Sequence, residues 1–209
     1  RLTIVGDLDM IKVFTTILVS MSLLASTEVF PIANFLKFSL FAFTHTPQQE
    51  SLAPFVPTPE LVVQRMLELA DVTNGDVVYD LGCGDGRIVI AAAAKYGARG
   101  VGIDIDPVRI AESKANAKKA GVEHLVEFRL QDVMEVDLKP ATVVTVYLLS
   151  HANLKLRPRL TEQLAPGSRV VSHAFDMGDW KPNKIDKFDD RYGFDRTLYL
   201  WTIDGIKRP

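Results

Sequence analysis

The stretch that decides the fold is residues 77–87, Val-Val-Tyr-Asp-Leu-Gly-Cys-Gly-Asp-Gly-Arg. Its first half is an apolar strand, and its second half is a turn with glycines at alternate positions, Gly82, Gly84 and Gly86. Apolar residues follow at positions 88–94, which predicts a helix directly after the turn. In a parallel α/β sheet, a buried strand followed by such a turn and a helix presents backbone N–H groups to a nucleotide-like ligand.

The glycine spacing narrows the class of ligand. A dinucleotide-binding turn has the pattern G-x-G-x-x-G, and Arg87 stands where its third glycine belongs. This disfavours an NAD-dependent oxidoreductase. The remaining pattern, Asp-x-Gly-x-Gly-x-Gly from Asp80, resembles motif I of the class I S-adenosylmethionine (SAM) methyltransferases. The alternative is a turn that only connects a strand to a helix.

A second short apolar strand, residues 100–106, ends in acidic side chains. Asp104 follows Asp80 by 24 residues, close to the spacing at which a carboxylate meets ribose hydroxyls in nucleotide-binding βαβ units. Asp106 competes for this role, but its place before Pro107 favours a cap of the next helix. We predict Asp104 as the ribose ligand, and the alternative is that both acids are solvated caps.

A third strand, residues 125–130, ends in Gln131-Asp132-Val133. In the methyltransferase pattern, an acid at this point accepts a hydrogen bond from the adenine amine, and the next backbone N–H meets a ring nitrogen. The resemblance implies these roles for Asp132 and Val133, although acidic loop residues are common by chance. The candidate SAM-binding residues are Thr58, Asp80, Gly82, Cys83, Gly84, Gly86, Asp104, Ile105, Asp132 and Val133.

The rest of the chain suits the fold that the resemblance implies. A fourth strand, residues 142–149, is almost wholly apolar, as expected for a strand covered on both faces. A helix over 153–164, a fifth strand over 169–172, a loop or edge strand over 181–190 and an alternating strand over 197–203 follow. The expected α/β fold is the Rossmann-like three-layer sandwich of class I methyltransferases, with a mostly parallel seven-stranded sheet and an antiparallel last strand.

The composition fits one globular α/β domain plus an extension, since the 209 residues are 47% hydrophobic and 24% charged. A formal net charge of −2 gives no indication of a nucleic-acid partner held through its phosphates. The one cysteine, Cys83, excludes an internal disulfide and a cysteine-rich zinc site, and we interpret it as a small residue that fits the turn. The four histidines have no metal-ligand spacing, so no metal is expected.

Residues 1–50 are expected to form a hydrophobic segment and linker ahead of a methyltransferase domain at 51–209. An early lysine and an uncharged run over 13–26 are typical of a secretory signal peptide. A second apolar stretch occupies 29–43, and neither run reaches the ~20 uninterrupted apolar residues of a membrane span. We expect residues 10–43 to anchor the chain to a membrane or to export it, and a cytoplasmic chain if this segment is not used.

A change of composition precedes the glycine turn. Residues 54–59, Pro-Phe-Val-Pro-Thr-Pro, lead into helical apolar spacing over 61–70, with Thr58 as the expected helix cap and Pro59 in the first turn. With Asp-Leu-Gly-Cys-Gly-Asp-Gly-Arg-Ile-Val-Ile-Ala-Ala-Ala, this segment resembles the family of the ATP synthase c-subunit lysine methyltransferase and its prokaryotic relatives. The similarity covers residues 53–182 and implies SAM-dependent methylation of protein lysines.

The methyl acceptor is expected beyond the fourth and fifth strands, because ligands lie at the carboxyl ends of strands in open sheets. Transfer from SAM needs an aligned nucleophile that has lost its proton, and free lysine has a pKa of about 10.4. A desolvating, partly aromatic mouth with one acidic or carbonyl acceptor would suffice. Tyr147, His173 and Asp176 are the candidate catalytic residues, with Trp180 as a further lining residue, and each has a structural alternative as a packing or strand-end residue.

The sequence after the fourth strand also bears on the acceptor. Residues 147–153 lack the Asp/Asn-Pro-Pro-Tyr signature of methylases that act on planar amines of bases, so no nucleic-acid substrate is expected. The expected partner is a protein with a lysine acceptor, and the chain is expected to be a monomer. Two alternatives stay open: methylation of a small molecule or lipid, and SAM binding without methyl transfer.

Overall fold

The computed structural model describes residues 53–209. The predicted hydrophobic segment at 10–43 lies outside the described residues, and the domain boundary near residue 50 stays a prediction. Within the described part, no helix has the length and apolar character needed to cross a membrane. The helices are α1 (Glu60–Leu69), α2 (Arg87–Tyr96), α3 (Pro107–Ala120) and α4 (Ser150–Gln163). The strands are β1 (Val77–Leu81), β2 (Arg99–Asp104), β3 (Val126–Leu130), β4 (Val143–Val146), β5 (Arg169–His173), β6 (Lys184–Asp189) and β7 (Asp195–Thr202).

These seven strands form one sheet in the order β3-β2-β1-β4-β5-β7-β6. The first five strands of the chain pair in parallel, whereas β7 runs antiparallel to both β5 and β6. The predicted seven-stranded, mostly parallel sheet with an antiparallel last strand is confirmed, and β6 is the edge strand. The strand order reverses between β1 and β4, which is where open α/β sheets bind ligands.

Both faces of the central strands β1, β4 and β5 are buried, and their successive side chains point to opposite sides of the sheet. In β1, Val78 packs in a core with α1, α2 and α3, whereas Tyr79 and Leu81 pack in a second core with α4. The result is a three-layer sandwich. Its faces are covered, so a ligand must enter at the loops that follow the strands.

The fourth strand is shorter and the following helix longer than predicted. β4 ends at Val146 rather than at residue 149, and α4 begins at Ser150 rather than at residue 153. Leu149 is the N-cap of α4, and its carbonyl accepts the N–H of Ala152 at 2.9 Å. The apolar run continues past the end of the strand into this turn, so apolar character alone overestimates the length of β4.

The two predicted helix caps have different outcomes. Thr58 does not cap α1, because the helix begins at Glu60 with Pro59 as its N-cap, and no side chain caps this end. Pro59 has an extended backbone, so the helix starts one residue later than a Thr58 cap requires. Asp106 does cap α3, since its Oδ1 accepts the N–H of Val108 at 2.8 Å.

Candidate active site

An open cavity of about 940 Å³ lies beyond the carboxyl ends of β1, β2, β3 and β4. Its walls are the loops after these strands and the segment 53–58, which leads into α1. Every candidate SAM-binding residue except Gly86 lines this cavity, and so does Tyr147. Residues that are far apart in the sequence therefore converge on one site at the reversal of strand order.

The glycine turn is tied to β2 and lies closely under another part of the chain. The N–H groups of Gly82 and Cys83 both donate to the carbonyl of Ile103, each at 2.9 Å. Gly84 has a φ of 53° and lies under the ring of Phe55, where a Cβ would collide with that ring. Only glycine allows this close approach.

Gly86 serves the turn without lining the cavity. It is the N-cap of α2 and has a φ of 80°, in the left-handed region. A Cβ at this position would lie 2.7 Å from the ring of Phe128 and 2.8 Å from the Cβ of Ser113. The structure therefore gives Gly86 a packing role between the turn, α3 and β3.

Asp104 is the last residue of β2 and lines the cavity. Its Oδ2 accepts the N–H of Gly84 at 2.8 Å, and its Oδ1 accepts the N–H of Asp106 at 2.9 Å. A carboxylate has about four acceptor positions, so this one keeps positions for the hydroxyls of a ribose. The two backbone hydrogen bonds fix the carboxylate between the glycine turn and the start of α3.

Asp132 and Val133 follow β3 and line the same cavity, as does Ile105 after β2. The Oδ1 of Asp132 accepts the N–H of Met134 at 2.8 Å, which orients the carboxylate within its turn. Asp104 lies at the end of β2, next to β1 and the glycine turn, and Asp132 follows β3, one strand further along the sheet edge; their ribose and adenine roles stay predictions.

Asp80 is the most deeply buried of the carboxylates that line the cavity. Its Oδ1 accepts a hydrogen bond from the hydroxyl of Thr145 at 2.8 Å. Burial raises the pKa of Asp80 to about 7, and the negative charges of Asp104 and Asp85 add to the shift, although Thr145 opposes it. A cation bound near Asp80 would restore its charged form.

Cys83 lines the cavity as a buried thiol. Burial raises the pKa of Cys83, and the charges of Asp80 and Asp104 raise it further. The side chain therefore stays protonated, which agrees with its interpretation as a small turn residue rather than a nucleophile. Across residues 53–209, no group of three or more His, Cys, Asp or Glu side chains could hold a metal ion.

The sequence analysis missed the contacts between the glycine turn and the chain that leads into α1. The guanidinium of Arg87 pairs with the carboxylate of Asp85 at 2.5 Å and donates to the carbonyl of Thr58 at 2.7 Å. The guanidinium of Arg109 lies over the ring of Phe55, 4.6 Å from its centroid. In the sequence, Arg87 is informative only as the residue that replaces the third glycine of a dinucleotide-binding turn. No local pattern shows that its side chain reaches residue 58.

Among the candidate catalytic residues, Tyr147 lines the cavity, whereas His173 and Asp176 do not. His173 is only 1% exposed, and its ring centroid lies 4.0 Å from that of Tyr147. Asp176 is exposed and accepts a backbone N–H within its own turn. Trp180 is buried against Trp201, with ring centroids 5.6 Å apart. The structure therefore brings Tyr147 and His173 together, and the catalytic roles stay predictions.

The imidazole of His173 is enclosed behind Tyr147. Burial lowers the pKa of His173 to about 4, and the positive charge of Arg196 acts in the same direction. Its Nδ1 has no hydrogen-bond partner among the described residues. A neutral, enclosed imidazole supports the ring of Tyr147 by packing.

The family emerges from comparison with known proteins. The ANTKMT methyltransferase domain matches residues 80–184, which contain the glycine turn, Asp104 and Asp132. The chain belongs to this methyltransferase family. The predicted family and enzyme class are thus confirmed, and the roles of the residues that line the cavity stay predictions.

The proteins that this chain resembles are named for different methyl acceptors. A protein-lysine N-methyltransferase from Saccharolobus islandicus is 47% identical over 155 residues, which cover 74% of this chain and 96% of the relative. The ATP synthase c-subunit lysine N-methyltransferase of Xenopus laevis is 32% identical over 132 residues, and this match covers 63% of this chain and 58% of that protein. The crystal structure of an RNA methyltransferase from Salinibacter ruber in complex with S-adenosyl-L-homocysteine is 58% identical, with a TM-score of 0.69, and the match covers 73% of this chain and 97% of that one.

For this methyltransferase we predict that the affinity for SAM rises about tenfold between about pH 6 and pH 8. The pKa of Asp80 in the free protein is about 7, and a bound sulfonium or ammonium group favours its ionised form. Below this pKa, binding must displace a proton from Asp80, and above it no proton is lost. Calorimetry at several pH values measures the affinity for SAM, and Asp80→Asn should remove its dependence on pH. Equal affinity at both ends of the range would contradict this role of Asp80.

Proposed function

We propose that the chain is a SAM-dependent methyltransferase that methylates lysine side chains of proteins. The observation that carries this proposal is the charge of the cavity: five carboxylates line it against three basic side chains, Arg87, Arg109 and Lys155, and Arg87 is paired with one of these carboxylates, Asp85. A negative cavity attracts the cationic lysine side chain. The similarity to the Saccharolobus protein-lysine methyltransferase, of which 96% is covered, supports the same substrate class. The carboxylates are Asp80, Asp85, Asp104, Asp106 and Asp132.

The residues of the cavity fit SAM. The glycine turn gives close access to backbone groups, Asp104 keeps acceptor positions for a ribose, and the buried Asp80 is suited to a cationic neighbour. In this proposal Asp132 and Val133 hold the adenine, and the glycine turn holds the methionine end beside Asp80. The Salinibacter relative in complex with S-adenosyl-L-homocysteine supports this ligand.

When bound, SAM supplies a methyl group on a sulfonium sulfur, and this group passes to a nucleophile while the electron pair of the broken C–S bond stays on sulfur. The protein must align the lysine Nζ with the methyl group, and it must bind this amine in its deprotonated form. A partly apolar mouth lowers the pKa of lysine from about 10.4 toward the working range. Tyr147, Leu148 and Leu149 line the cavity after β4 and supply this apolar surface.

RNA is the second candidate acceptor, because the Salinibacter relative is named an RNA methyltransferase. The rim of the cavity offers one feature in its favour. His151 and Lys155 are exposed, line the cavity and lie about one turn apart on α4. Lysine contacts to phosphates supply much of the affinity for nucleic acids, but the acidic wall of the cavity opposes a phosphate backbone. We therefore place RNA after protein lysine.

Methyl-labelled SAM distinguishes the acceptors. We expect the full chain, incubated with labelled SAM and with the protein, RNA and lipid fractions of a cell extract, to label the protein fraction. The variant Asp104→Ala should label that fraction about 10- to 100-fold more weakly when SAM is well below saturation. Label in RNA would favour the second candidate, and label in lipid would favour a lipid methyltransferase. An absence of label from every fraction would favour SAM binding without transfer.

Two further parts of the proposal rest on the sequence alone. We expect the chain to act as a monomer. We also expect residues 10–43 to anchor or export it, with a cytoplasmic location if this segment is not used. Both parts concern features beyond the cavity, and neither affects the proposed chemistry.

A further inference from the structure

The turn that follows β5 has an unusual backbone. Ala174 has a φ of 67°, in the left-handed region that residues with a Cβ rarely adopt. Only one other described residue besides glycine, Asp71, has a positive φ. Such a conformation is unfavourable for an alanine and persists only where the surrounding structure holds it. Strain of this kind is concentrated at functional sites.

Two buried polar side chains hold this turn. The hydroxyl of Ser172 donates to the carbonyl of Phe175 at 2.5 Å, and the Nδ2 of Asn153 donates to the same carbonyl at 3.1 Å. Asn153 also donates to the carbonyl of Asp176 at 3.2 Å. Both side chains are fully buried, and the backbone N–H of Ala174 donates to β7. The backbone of residue 175 is therefore fixed by α4, β5 and β7 together.

The fixed backbone places the ring of Phe175 beside the ring of Tyr147. Their centroids are 6.4 Å apart and their planes differ by 26°, while His173 packs against Tyr147 at 4.0 Å. Phe175 is partly exposed, and Tyr147 lines the cavity. An aromatic surface thus continues from Tyr147 at the cavity wall to the partly exposed Phe175.

We propose that Tyr147 and Phe175 form the site where the acceptor's side chain first binds as an ammonium group, before it loses its proton for methyl transfer, with Phe175 as a residue that determines specificity. The inference rests on the proposed lysine methylation. The negative faces of aromatic rings attract ammonium groups, and they bind methylated ammonium well because it is less strongly hydrated. Phe175 therefore retains a lysine that has already received one methyl group. Its ring controls how many methyl groups are added before the product leaves.

The variant Phe175→Leu tests this site with a lysine peptide that the wild-type enzyme methylates. Leucine keeps an apolar side chain but removes the aromatic face. We expect the KM for the peptide to rise about three- to tenfold, with little change in kcat or in the affinity for S-adenosylhomocysteine. We also expect monomethyl-lysine to form a larger share of the product. Phe175→Tyr keeps the aromatic face and should restore wild-type behaviour.

The matched control is Phe194→Leu, which makes the same substitution at an exposed phenylalanine on the turn between β6 and β7. It should leave the peptide KM and the methyl count unchanged. Unchanged affinity for S-adenosylhomocysteine shows that Phe175→Leu is folded. If leucine destabilises the turn, Phe175→Met is used in place of Phe175→Leu. A peptide KM and a methyl count equal to wild type would overturn this inference alone. A wild-type enzyme that methylates no lysine would overturn the proposed function first.

Discussion

Replacing Asp104 by alanine is expected to weaken the binding of S-adenosylhomocysteine about 10- to 100-fold, because a hydrogen bond to a charged group contributes roughly 1.5–3 kcal/mol. The variant would lack the proposed contacts between the carboxylate and the ribose. It would also lack the hydrogen bond from the N–H of Gly84 to this carboxylate, which holds the glycine turn in place. Calorimetry with S-adenosylhomocysteine measures the affinity directly, and methyl transfer should fall with it.

The matched control is Asp106→Ala. Asp106 also lines the cavity, but its carboxylate caps α3 through the N–H of Val108. This variant should lose about 1 kcal/mol of stability through the missing cap and keep most of its affinity. If the two variants bind the ligand equally well, Asp104 is not the ribose ligand.

Replacing Gly86 by alanine is expected to destabilise the protein by about 2–5 kcal/mol, from the cost of a left-handed alanine and from overpacking. The added Cβ would lie 2.7 Å from Phe128 and 2.8 Å from the Cβ of Ser113. One of these elements must move, and the glycine turn at the start of α2 would move with it. Urea unfolding monitored by circular dichroism measures the free energy of unfolding.

The control for this substitution is Gly121→Ala. Gly121 ends α3 with a φ of 71°, similar to that of Gly86, but nothing lies within 4 Å of an added Cβ. Gly121→Ala should lower the free energy of unfolding by only about 1 kcal/mol, which is the cost of the left-handed backbone without overpacking. Equal losses in the two variants would show that packing under the glycine turn contributes nothing.

That the candidate cofactor residues line one cavity could be predicted, because their signals are local in the sequence. The glycine turn, Asp104 and Asp132 each follow directly after an apolar strand, and the ends of parallel strands meet at one edge of the sheet. The family resemblance added the lysine acceptor, which local patterns do not indicate. Boundaries were less accurate where apolar residues continued into a turn, as after Val146.

The acceptor side could not be predicted in the same way, because its contacts join distant parts of the chain. Asn153 reaches the carbonyl of Phe175 across 22 positions, and the strain at Ala174 follows from no local pattern. Sequence analysis selected Tyr147 and His173 by residue type, and the structure shows that their rings pack together. It selected Asp176 because one acidic acceptor was expected at the mouth, and the structure places Asp176 outside the cavity lining.

The most direct test of the central claim is to locate the transferred methyl group by fragmentation mass spectrometry. The full chain would be incubated with SAM and with the protein fraction that it labels, and the modified peptides would be sequenced. The account predicts methyl groups on lysine Nζ in the wild-type reaction and far fewer with Asp104→Ala at the same SAM concentration. Methyl groups on other protein side chains, such as carboxylates, and none on lysine would contradict lysine methylation.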